Sequence, residues 1–181
     1  MFFLVQSVVV VVGAIIHVFL DRKPDRRTAR RVVELFMVWV IAGGGLMAIA
    51  AGLAHIGPNS DATAEDIGYT QSMFQWEIGW ADIAIGVAGF LCIWKRDGWL
   101  TCAVTVLAIS YSGDAIGHVM QYVAHDNTAP NNIWAIPSDI IQPLAAIALL
   151  VAYRRLSRSP RSTIASNGGT GSPSPAQPVA A

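Results

Sequence analysis

Five apolar blocks, residues 2–20, 32–54, 74–94, 99–123 and 137–153, take up most of the chain, and only short polar stretches part them. At a helical rise of ~1.5 Å per residue, about 20 residues cross a ~30 Å hydrocarbon layer. Each block therefore reads as a membrane span, the fifth being the shortest. In lipid the backbone must satisfy its own hydrogen bonds, so even the valine run Val8 to Val12, which would favour a strand in water, is expected as helix. With 54% hydrophobic and 13% charged residues, the composition is that of a polytopic membrane protein rather than of a soluble core. The expected fold class is all-α, a polytopic transmembrane helical bundle of about five spans over residues 1–156.

The charges give this bundle a direction. All 12 Lys and Arg residues fall on one side of a five-span arrangement. They lie in "DRKPDRRTARR" between the first two blocks, in "KRDG" between the third and fourth, and after the fifth. The opposite connections, 56–73 and 124–136, carry Asp61, Glu65, Asp66 and Asp126 instead. The positive-inside rule then puts the N-terminus outside and the C-terminus in the cytoplasm of a multi-pass cell (inner) membrane protein. The first block is expected to be retained rather than cleaved, because its positive charges follow the apolar run and no small-x-small site stands after Leu20. Residues 157–181, rich in Ser, Pro and Gly, are expected as a disordered cytoplasmic tail. The basic stretch beside a span reads as a topology signal facing anionic headgroups, not as a nucleic-acid surface. Cys92 and Cys102, near the cytoplasmic face, are expected as buried packing residues.

Polar groups inside the blocks are the informative exceptions. Counting inward from the block ends places Asp82 and Asp114 at one depth, roughly 12 Å below the outer boundary. Glu77 and His118 share a shallower level. Asp114 and His118 are spaced i, i+4, with Gln121 on the same side of the fourth block. On the third block Gln75, Gly79, Asp82, Gly86 and Gly89 share a face, which combines a carboxylate with residues small enough for close helix approach. Glu77 lies about 140° around from Asp82 and is expected to address a different neighbour. His55 ends a stripe with Gly45, Ala48 and Gly52, while Asp139 and Gln142 open the fifth block. The candidate ligand- or proton-binding residues are thus Glu77, Asp82, Asp114 and His118 between the third and fourth spans, supported by His55, Gln75, Gln121, Asp139 and Gln142. Glu34, near the inner surface, is expected to pair with neighbouring arginines. Trp76, Trp80, Trp94 and Trp99 read as interfacial anchors. Trp134, in a connection rich in Pro and Asn, reads as a lid residue or part of a plain turn.

The stretches "FQWEIGWADIAIGVAGFL" and "GDAIGHVMQ" together resemble the core of a family of small bacterial membrane proteins classed as a domain of unknown function, and more loosely the DoxX-type bundles. The resemblance spans residues 32 to 153. It implies a compact multi-helix bundle and an acidic helix pair at Glu77 and Asp114, and it implies no activity.

Three functions fit these residues. Polar groups in a bundle can join helices and do nothing more, at ~0.6 to 2 kcal/mol per contact. Ionisable groups inside a membrane also mark sites for a small ligand, an ion or a proton, and four of them in one membrane half exceed what adhesion needs. An enzyme acting on a lipid or quinone through a His–carboxylate pair or a mixed N/O metal set is the third. No motif names a cofactor, a metal or a nucleotide, so the cofactor is unknown. The expected partners are the lipid bilayer and a small ligand, ion, lipid or quinone, with an oligomer left open and nucleic acid excluded.

Overall fold

The computed structural model describes residues 2–158, and among the described residues there are α-helices, one π-helical turn and no strand. Helix α1 covers Phe2–Leu20. Helix α2, Ala29–Val38, runs through the π-helical turn Trp39–Gly43 into α3, Gly44–Ile56. Then come α4 (Ser60–Ile67), α5 (Phe74–Leu91), α6 (Gly98–His125) and α7 (Pro130–Arg158). Local chemistry sets several of these bounds. The Thr28 side chain accepts from the Arg31 backbone N–H at 3.2 Å and caps α2, and Asp97 accepts from the Trp99 N–H at 3.0 Å and caps α6. Left-handed residues, Gly68 at φ 77° and Asp126 at φ 52°, end α4 and α6.

Three helices are long and apolar enough to cross a membrane: Ala29–Ile56, Gly98–His125 and Pro130–Arg158, with a shorter apolar helix at Leu4–Leu20. In α5, Gln75, Glu77 and Asp82 dilute an otherwise apolar stretch of 18 residues. The last helix corrects an expectation, since it begins at Pro130 rather than near 137. Proline is well placed at a first helical position, where its missing N–H has no helical partner to lose, and Pro137 and Pro143 lie inside the same helix. Connection 56–73 likewise holds a helix, α4. Ser157 and Arg158 continue α7, and the rest of the expected tail lies outside the described residues.

The bundle is built from two close helix pairs. Helices α3 and α5 run antiparallel with their backbones in contact. A Cβ on Gly52 would stand 2.4 Å from the Gly79 carbonyl oxygen, and one on Gly86 would stand 2.4 Å from that of Gly45. The glycine stripe of α5 therefore meets α3. Helix α6 packs instead along α7, and Met37, Ile41, Leu100, Val104, Leu107 and Ala146 make the main core where α6 and α7 meet the α2–α3 helix. Cys92 is buried, but Cys102 is exposed, against expectation.

All the basic connections meet at one end. Arg31 donates to Asp21 at 2.7 Å and pairs with Glu34 at 3.1 Å, and Glu34 also pairs with Arg96 from the α5–α6 connection. Arg154 reaches the Thr101 hydroxyl at 3.0 Å, and Arg30 reaches that of Ser157 at 3.3 Å. At the other end Asn127 donates to the carbonyl of Ile67 at 3.0 Å and ties the α6–α7 link to α4. Between the ends the outward faces are apolar, with Leu4, Val8, Ile16, Ile109, Ile116 and Val123 all more than 40% exposed. A continuous surface of that kind suits hydrocarbon better than water.

Candidate functional site

Because α5 is held to α3 and α6 to α7, a space remains between the two pairs. It measures about 350 Å³, near the lower end of the ~300–1,000 Å³ usual for ligand pockets. Helix α4 and the link to α5 close it at the end away from the arginines, through Ala64, Ile67, Tyr69 and Ser72. Its polar walls come from His55 on α3, Gln75 and Asp82 on α5, Asp114 and His118 on α6, and Asp139 on α7. These six residues were all singled out from sequence.

His118 is the best-held of them. Its Nδ1 lies 2.8 Å from Asn132 Oδ1, and its Nε2 lies 3.8 Å from Asp139 Oδ2. The Asn132 amide is oriented by its own nitrogen, which donates to the carbonyls of His118 at 3.3 Å and Asn127 at 3.1 Å. Its oxygen is thus left to accept, which assigns a proton to His118 Nδ1. Nε2 then faces a carboxyl group. A bare nitrogen against an ionised carboxylate would set lone pair against lone pair, so one proton belongs to this pair, carried by Nε2 or by Asp139. Tyr69 approaches the same Nδ1 at 3.5 Å. Burial, with the Asp114 charge second, pushes the Tyr69 phenol above its ordinary value, so it stays neutral over any physiological pH.

Asp82 and Asp114 are held differently. Neither makes a hydrogen bond or ion pair among the described residues, and both are half-buried in the cavity wall. Asp82 and Asp139 stand near enough to Asp114 to feel its charge, and Asp114 stands near enough to His118 to feel that of its imidazole. No Lys or Arg lines the space. Two polar atoms of the wall residues, His55 Nδ1 and Gln75 Oε1, are buried without a hydrogen-bond partner, whereas Gln75 Nε2 donates to the Ser60 carbonyl at 2.8 Å.

Three of the residues singled out from sequence lie elsewhere. Glu77 is exposed in the first turn of α5, because packing the glycine stripe on α3 turns that side of the helix away from the bundle. An acid there suits the positive helix N-terminus. Gln121 is half-buried outside the cavity, and its backbone carbonyl accepts from the Asn127 N–H at 3.2 Å. Gln142 faces α1, where it accepts from Gln6 at 3.1 Å. Trp134 is 52% exposed on α7 and does not line the cavity. Gln6, Tyr69 and Tyr111, which also line the cavity, and Asn132, which holds His118, were not among the candidate residues. Gln6 lies near the start of the first block as Glu77 does near that of the third, and this shared level was the available signal. Asn132 sat in what read as a loop.

Among the described residues no group of three or more His, Cys, Asp or Glu could hold a metal ion, so the mixed metal set has no support in the geometry. No curated protein and no solved structure matches the chain. One family model does match, over residues 1–159, and so takes in every residue of the cavity; it gives no support to the looser DoxX likeness. The chain belongs to that family, a family of unknown function (DUF6790), as the stretches around Asp82 and Asp114 had suggested.

Proposed function

We propose that this is a multi-pass inner-membrane protein that binds a small ligand, an ion or a proton in the cavity between the α3–α5 and α6–α7 pairs. The observation that carries the reading is the state of Asp82 and Asp114, two half-buried carboxyl groups that face one cavity with no hydrogen-bond donor among the described residues and no Lys or Arg beside them. Carboxylates placed only to join helices would be hydrogen-bonded across the interface, since leaving them unpaired is costly. The proposed topology has five spans, α5 included, with the N-terminus outside. It rests on the gathering of the arginine-bearing connections at one end.

A second reading, a bundle whose polar groups only join helices, is favoured by one observation, the His118–Asn132 contact that locks α6 to α7. Native mass spectrometry with elemental analysis, on gently purified wild type beside Asp114→Asn, separates the two. Binding predicts a small species retained by the wild type and lost from the variant. An empty wild type together with a destabilised variant would favour the joining role.

A further inference from the structure

A second space adjoins the first. It measures about 360 Å³, lies between α1 and α7, and is walled chiefly by Leu4, Val10, Val11, Trp134, Ile141 and Ala145. Gln6 and Ser138 line both spaces. One amide and one hydroxyl thus stand between the polar cavity and the apolar groove. Leu4, Val11, Trp134 and Ile141 are each more than 40% exposed, so the groove opens on the same surface as the apolar faces of the bundle.

The charge of the cavity says what kind of head such a site takes. Three carboxyl groups and two histidines line it, without Lys or Arg. His118, the group able to carry positive charge near Asp114, is already engaged with Asp139, and no Lys or Arg faces Asp82 or Asp114. In a low-dielectric space a positive group compensates them and an anionic head is repelled. Water-soluble cations would need only the cavity; the groove has a use if the cation carries a hydrocarbon chain.

Resting on the ligand-site reading above, we infer that cavity and groove are two halves of one site for a single-chain cationic amphiphile, its protonated amine between Asp82 and Asp114 and its chain along α1 and α7 past Gln6 and Ser138. The full chain in phosphatidylcholine nanodiscs, corrected for empty discs, allows the test at neutral pH with three probes: dodecylamine, butylamine and dodecanol. Dodecylamine should bind at least tenfold more tightly than either of the others. Asp114→Asn should weaken both amines about tenfold. Val11→Trp, which fills the groove from an exposed position, should weaken dodecylamine and leave butylamine unchanged. Equal affinity for the two amines would overturn the two-part site while leaving a cation-binding cavity in place. Equal affinity for dodecylamine and dodecanol would overturn the charge pairing. Retention of neither amine above empty discs would overturn the inference outright, and the native mass comparison would then decide separately whether the cavity holds anything else.

Discussion

Asn132 is wholly buried, and its amide makes contacts with His118 and with two backbone carbonyls. Replacing it with leucine removes three hydrogen bonds, takes this donor from the Asn127 carbonyl and leaves His118 Nδ1 only the 3.5 Å contact with Tyr69, and a buried unsatisfied group costs ~1–3 kcal/mol. Asn132→Leu should accordingly lower stability by about that much in a reversible unfolding titration. At the opposite end, the Arg31 hydrogen bond holds the Asp21 carboxyl below the usual carboxylate range. A depressed value contributes stability that is complete above the unfolded carboxylate value near ~4 and is lost as pH falls through the folded one. The stability gap between wild type and Asp21→Asn should therefore close as the unfolding midpoint is followed from pH 6 down to pH 3. A gap independent of pH would contradict the pairing. Single residues were legible where chemistry alone marks them: Asp82, Asp114, Asp139 and His118 stand out in apolar blocks. Tyr69 and Asn132 did not, because tyrosine and asparagine in a connecting stretch are ordinary until the fold brings them over His118.

At the scale of elements, the α3–α5 contact depends on backbone approaching backbone. A Cβ on Gly86 would meet the Gly45 carbonyl oxygen at 2.4 Å, and neither backbone can rotate away as a side chain would. Gly86→Ala should cost about 1–3 kcal/mol in overpacking. Gly98, whose added Cβ meets nothing within 4 Å, supplies the control. Gly98→Ala should be neutral or slightly stabilising in the same titration, since alanine is the better helix former. The glycine stripe itself could be read from spacing, but its partner could not. Small residues let a helix approach any neighbour, and the choice of α3 over α6 depends on the matching glycines Gly45 and Gly52 seven residues apart. That choice decides that Glu77 turns outward. The early start of α7 escaped for a different reason: proline and asparagine are turn formers in isolation, and Pro130 begins a helix instead.

For the whole molecule, the two ends differ in charge and the middle is apolar outside and polar within. Fusing a reporter after Arg161 should give a cytoplasmic signal, and inserting one at Ser60 should give an external one. The same signal at both sites would refute an odd number of spans between them, and reversed signals would refute the orientation. The apolar exterior and the charge segregation were plain in the order of residues, because bilayer thickness and positive-inside bias act on the sequence directly. The cavity was only half legible. Depth counting brings polar groups to one level, but it takes the pairing of α3 with α5 and of α6 with α7 to leave a space between them. The account turns on whether Asp114 faces that space free of structural duty. Unfolding of Asp114→Asn beside wild type, both without added ligand in the same nanodiscs, measures this most directly. The account predicts a midpoint equal to or above that of the wild type, because a half-buried carboxyl group has been replaced by a neutral amide of the same shape and no hydrogen bond lost. A midpoint lowered by more than ~4 °C, on the order of 1–2 kcal/mol for a chain of this size, would contradict it.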